Sequence, residues 1–155
     1  MDIIIDSREK ARAIKKIVYT FEKNGVRYMS SKLYVGDYQS LDNPRLVVDR
    51  KQNLNELYSN MCQQHKRFRD ELLRANEHDI RLVFLIEHGG RIKSLEDVKE
   101  WKNPRLEFSP YAWDGNRMYK TMITIMQKYK TDFIFCNKFQ TGRKIIEILG
   151  SGEVR

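Results

Sequence analysis

Short runs of β-branched residues alternate along this chain with stripes of apolar residues three or four positions apart, the signatures of buried strands and amphipathic helices. The first run, Ile3 to Ile5, ends at Asp6 and Ser7, both favourable helix caps. Ile14, Ile17, Val18 and Phe21 then keep helical spacing until Asn24-Gly25 stops the pattern. A strand-like stretch follows over Val26 to Tyr38, Asp42-Asn43-Pro44 reads as a turn, and Arg45 to Lys51 reads as a strand centred on Leu46, Val47 and Val48. Leu54, Leu57, Tyr58, Met61, Phe68, Leu72 and Ala75 form one stripe, which predicts a single long helix.

Leu82 to Ile86 is a five-residue apolar run suited to a fully buried strand. Ser94, with Asp97 three residues on, predicts a capped short helix. Pro104 and Pro110 bracket a loop of aromatic and basic groups that ends near Trp113. Met118, Met122, Ile125, Met126 and Tyr129 predict a helix whose stripe serves either core or interface. Phe133 to Phe135 predicts a strand, and Ile145, Ile146 and Leu149 a last helix. Strands alternating with helices around a hairpin predict an α/β fold with a mixed central sheet flanked by helices.

With 155 residues there is room for one domain, expected over 1–150 with a short C-terminal tail at 151–155. No apolar run approaches the ~18 residues of a spanning helix, and the start lacks the basic flank of a signal peptide, so an intracellular protein without membrane contact is expected. The 29 Lys and Arg against 21 Asp and Glu give a net charge of +8, which favours anionic partners, nucleic acid first. Cys62 and Cys136 stand far apart with no Cys/His cluster, which argues against a zinc site or a disulfide framework. There is no Gly-rich phosphate loop or dinucleotide fingerprint, which argues against ATP-driven or redox chemistry.

Gly36-Asp37-Tyr38 and, after the turn, Val48-Asp49-Arg50-Lys51 carry the candidate chemistry. If the two flanks are strands of one hairpin, Asp37 and Asp49 meet across the pair. Side chains two apart on a strand share a face, so Asp49 and Lys51 point together while Arg50 points away. Two carboxylates beside an ammonium suit phosphodiester hydrolysis: the carboxylates hold Mg²⁺, and the metal and Lys51 orient and deprotonate the attacking water and offset charge on the transition state. Asp49-x-Lys51 alone is a weak signal; the Gly-Asp twelve residues earlier and the strand–turn–strand context strengthen it.

The ordered motifs Ile5-Asp6-Ser7-Arg8-Glu9, Val35-Gly36-Asp37-Tyr38 and Val48-Asp49-Arg50-Lys51, with Leu82 to Glu87 after the long helix, resemble the XPF-type nuclease domain of the restriction-endonuclease-like PD-(D/E)XK superfamily. The likeness is clear over residues 3 to 87. It implies a restriction-endonuclease-like fold and Mg²⁺- or Mn²⁺-dependent DNA cleavage at branched, flap or junction structures, in repair or recombination. It further implies that Asp37 and Asp49 are metal ligands with the Arg50 carbonyl as a third contact, that Lys51 positions or activates water, and that Asp6, Arg8 and Glu9 line the same site, Asp6 touching the metal and Arg8 the phosphate. Two departures stand out: Asp49 replaces the family's more usual Glu, and Asn55, with Glu56 beside it, occupies the place of a family Asp.

Family members commonly append helix-hairpin-helix modules that grip DNA and dimerise. None fits after residue 150, so DNA is expected to be held by this chain's own surface. Lys66, Arg67 and Arg69 on the long helix are candidates for phosphate contacts, and Tyr111 and Trp113 in the Arg105–Arg117 loop for base stacking. A homodimer is a further expectation from the resemblance. The small format would suit a phage-encoded or other cytoplasmic, nucleoid-associated enzyme. The rival reading is a nuclease fold that binds DNA without cutting it and acts with a catalytic partner.

Overall fold

The protein is described here by a computed structural model that covers residues 1–151. Of the tail expected at 151–155, Ser151 ends the last helix and the rest lies outside the described residues. The strands are β1 (Asp2–Asp6), β2 (Arg27–Ser31), β3 (Tyr38–Ser40), β4 (Asn43–Lys51), β5 (Arg81–Ile86) and β6 (Asp132–Phe135). The helices are α1 (Lys15–Lys23), α2 (Leu54–Cys62), α3 (His65–Glu77), α4 (Gly115–Tyr129) and α5 (Thr141–Ser151). The strands form one sheet in the order β2-β1-β3-β4-β5-β6. β3 is antiparallel to both neighbours and every other pairing is parallel, so the sheet is mixed as the sequence predicts.

Strand periodicity sorts the core into two layers. Val47, Leu82, Phe84 and Ile86 face α2, α3 and α4, packing with Leu57, Phe68, Leu72 and Met118. Val48, Val83 and Leu85 face the opposite way, toward Ile17 and Phe21 of α1 and Ile145 and Leu149 of α5. The central strands therefore read as continuous apolar runs because both of their faces are covered. Met118 and Met122 of the α4 stripe are fully buried in this core, while Ile125, Met126 and Tyr129 pack against it and stay partly exposed.

Four sequence expectations change. Helix α1 begins at Lys15 rather than after Ser7. The intervening Ser7-Arg8-Glu9-Lys10-Ala11-Arg12 has no apolar stripe to bury, and the Asp6 carboxylate accepts from the amides of Arg8 and Leu33 instead of capping a helix. The Val26–Tyr38 stretch splits into β2 and β3, separated by a loop anchored through Leu33 and Val35. The long helix breaks at Gln63-Gln64, whose amides both turn back to the Ser59 carbonyl. Met61 and Phe68 lie seven residues apart, two full turns, so the apolar phase carries across the break and hides it. Finally, the short helix expected after Ser94 is a 3-10 turn over Glu96–Glu100, and Asp97 reaches back to the Lys93 amide.

Candidate active site

The antiparallel β3–β4 pair sets Tyr38 opposite Val48, and one step further brings Asp37 and Asp49 together at the end of the sheet. The Asp37 amide donates to the Val48 carbonyl at 2.8 Å, and the Asp37 carboxylate accepts from the Arg50 amide at 2.7 Å. Gly36 makes this approach possible: its φ is +70°, and a Cβ there would lie 2.4 Å from Val47 Cγ1. Asp49 and Lys51 share the face of Val47, with Lys51 Nζ 3.3 Å from Asp49 Oδ1. That face looks onto α3, from which Glu71 enters the same cleft of about 430 Å³.

Arg50 has the opposite parity, as predicted. Its Nε and Nη2 donate to Glu9 at 2.9 and 3.0 Å, and its Nη1 donates to Glu87 at 2.6 Å. The Thr141 hydroxyl at the start of α5 donates to the second Glu87 oxygen at 2.8 Å. Asp6 is likewise engaged: Oδ2 accepts from Arg8 Nε at 2.7 Å and Oδ1 accepts from the Leu33 amide at 2.8 Å.

Charge is concentrated here. Burial first, then Asp49 and Glu9, push the Asp37 carboxyl well above the usual range. Burial and Asp49 push Glu71 up to about 8. Burial pulls the Lys51 ammonium down, but Asp49, Glu71, Glu56 and Asp37 outweigh it and raise the group above its ordinary value. Lys51 is therefore a cation at neutral pH.

Asp6, Arg8, Glu9, Asp37, Asp49, Arg50 and Lys51, all named from sequence, converge on this one cleft. Of the helical basic residues, Arg67 lines it, whereas Lys66 lines a neighbouring groove and Arg69 is exposed outside it. Tyr111 is free, at 88% exposure, but Trp113 packs edge-on against Tyr58 with Arg117 above its ring, so it forms part of the core's rim rather than an open stacking face. Glu56 lines the cleft as well; one of its oxygens accepts from the Gln52 amide, and its own amide donates to Asn53 at the N-cap of α2. Glu71, Arg74 and Glu87 received no site role from the sequence, although Glu87 closes the Leu82–Glu87 run. Arg67, Glu71 and Arg74 are spaced by four and three, one face of α3, and that spacing was the available signal.

The fold matches two solved structures: XPF from Aeropyrum pernix, with TM-score 0.67 and 19% identity over 96% of this chain, and XPF from Aeropyrum pernix in complex with DNA, with TM-score 0.63 and 18% identity over 97%. This chain covers 63% and 64% of those chains, less than two thirds of their length. No curated protein matches the sequence. Residues 5–149 match the ERCC4 domain, a span that runs from the end of β1 through the cleft to α5, and the chain accordingly belongs to the ERCC4 domain family.

Proposed function

We propose that this chain is a metal-dependent DNA endonuclease that hydrolyses phosphodiester bonds at branched, flap or single-strand/duplex junctions. The observation that carries the reading is the convergence of Asp37, Asp49 and Lys51 at adjoining strand ends, in a cleft also lined by Arg8, Lys10, Arg67 and Arg74. Family membership and the DNA-bound state of one matching XPF structure support a nucleic-acid substrate.

The donor chemistry fits Mg²⁺ or Mn²⁺. Among the described residues no three His, Cys, Asp or Glu side chains form a ready cation cage. Mg²⁺, however, is usually held by one or two carboxylates together with waters and substrate phosphate. Asp37 and Asp49 would supply those carboxylates, with Glu71 in the same cleft. Asp6, whose oxygens accept from Arg8 and the Leu33 amide, would hold the β1 end in place beside them. When bound, the ion supplies Lewis-acid polarisation of the phosphate and a lowered pKa for water.

The chain's own residues do the rest. The Lys51 ammonium donates to the attacking water or to a non-bridging phosphate oxygen and offsets charge as it grows. Placed 3.3 Å from Asp49 Oδ1, it would orient or activate the attacking water. Arg67 and Arg74, on the α3 face beside Glu71, hold phosphates of the bound strand.

The test is a gel assay with single-stranded, duplex, flap and four-way-junction DNA in Mg²⁺, Mn²⁺ or EDTA. Cleavage is expected to require the metal and to vanish in Asp37→Ala, Asp49→Ala and Lys51→Ala; full activity in Asp49→Ala overturns the reading. A second reading, a non-cleaving DNA-binding module that works with a catalytic partner, is favoured by Asn55 standing without a carboxylate while Glu56 caps α2. Metal-independent binding to junction DNA with no cleavage is its expected signature.

A further inference from the structure

The loop leading into Asp37 alternates inward and outward residues. Leu33 and Val35 are buried at 6% and 1% exposure, while Tyr34 between them is 54% exposed. The loop is fixed at Leu33, whose amide donates to Asp6 Oδ1 and whose carbonyl accepts from Arg8 Nη2. The Tyr34 ring is thus held outward by a backbone tied to the active-site end of β1. Behind it, His78 at the C-terminus of α3 stacks on the ring with centroids 4.5 Å apart and planes 16° from parallel. The Arg74 guanidinium lies 5.8 Å from the ring centroid, and Arg74 itself lines the catalytic cleft.

We propose that Tyr34, stacked on His78 and next to the cleft-lining Arg74, is a stacking platform that takes an unpaired nucleotide of the DNA substrate. Other rings of the chain, such as Phe108, Tyr111 and Phe139, are more exposed; what sets Tyr34 apart is its place beside the cleft-lining Arg74, and a base–aromatic stack tolerates every base because each has a π-face. The adjoining Arg74 matches the charge of the phosphate next to the stacked base. Paired bases cannot reach the platform without leaving their own stack, so Tyr34 would favour junctions and overhangs over uninterrupted duplex. This inference deepens the nuclease reading and rests on it for the identity of the ligand.

The test is binding in EDTA, so that cleavage plays no part. DNA carrying 2-aminopurine in a single-stranded overhang, beside a matched duplex, is titrated with the full chain and followed by fluorescence and anisotropy. The expected result is quenching of the overhang probe on binding, lost in Tyr34→Ala and retained in Tyr34→Phe. The ratio of overhang to duplex affinity is expected to fall about tenfold in Tyr34→Ala, as for loss of one base–aromatic stack. Tyr34→Leu, which keeps apolar bulk without a π-face, is expected to behave like Tyr34→Ala. Equal loss on overhang and duplex, no loss at all, or full retention in Tyr34→Leu overturns the platform. Tyr34-dependent quenching in a protein that cleaves nothing would sink the nuclease reading and leave the platform standing. Metal-dependent cleavage without Tyr34-dependent quenching would do the reverse.

Discussion

Asp6 is 1% exposed, and its two oxygens serve three partners: the Arg8 guanidinium, the Arg8 amide and the Leu33 amide. Burial alone would raise its pKa. The Arg8 hydrogen bond, the Leu33 amide and the Arg8 charge outweigh that and hold it below 3.8. A carboxylate whose folded-state pKa is depressed contributes stability that is fully present above the unfolded value and is lost as pH falls through the folded one. Asp6→Asn keeps the shape but gives up the charge and one acceptor oxygen, so it is expected to cost about 1–3 kcal/mol at pH 7. Urea denaturation of wild type and variant should show the gap narrowing as pH falls below 3.8, the ordinary Asp value. A gap that stays constant down to pH 2 would mean that the charge on Asp6 contributes nothing. The sequence made Asp6 visible as part of a motif but could not show its use, because its amide partner Leu33 lies 27 residues away.

At the scale of elements, the β3–β4 hairpin was legible because its chemistry is local: Gly36-Asp37 and Asp49-x-Lys51 flank one turn, and strand parity alone separates Lys51 from Arg50. For Glu71 the spacing with Arg67 and Arg74 marks a shared helix face but not what that face meets. Its role arises only when α3 is laid over that strand face, and a charged residue beside an apolar stripe looks the same whether it meets water or a cleft. The break between α2 and α3 was hidden for a related reason, since periodicity records phase and not continuity. Gly36 gives the hairpin a specific test. Gly25 and Gly36 have nearly the same φ, +69° and +70°, but a Cβ on Gly25 meets nothing within 4 Å. Gly25→Ala should cost only the strain of a left-handed residue, about 1–2 kcal/mol. Gly36→Ala adds overpacking against Val47 and Leu82, about 1–3 kcal/mol more. It should also reduce cleavage beyond what the lost stability explains, because the backbone shift moves Asp37. Equal denaturation midpoints for the two variants would show that Val47 yields freely.

For the whole molecule, the question is what holds two helical layers in fixed relation at the cleft end of the sheet. Asp49 and Lys51 look toward α3, whereas Arg50 between them looks toward the layer of α1 and α5. There Arg50 joins Glu9, in the loop after β1, to Glu87, just past β5, and Glu87 is joined in turn to Thr141 of α5. The three charged side chains are only 8%, 11% and 9% exposed, so solvent does little to replace a lost partner. Removing one member of a buried ionic group typically costs about 3–5 kcal/mol, since the partners keep their desolvation penalty without the attraction. Arg50→Met is therefore expected to destabilise the fold by about that amount, through two carboxylates left facing each other. Adding Glu9→Gln and Glu87→Gln to Arg50→Met should recover part of the loss, because the stranded charges are gone. Denaturation curves of the single and triple variants test this directly: a triple variant less stable than Arg50→Met would show that the carboxylates have other partners to satisfy. If recovery is seen, Arg50 acts from behind the reacting groups. A lost cleavage activity in Arg50→Met would then report the displacement of Asp49 and Lys51 and not a missing contact to DNA, and the stabilised triple variant should still bind junction DNA in EDTA.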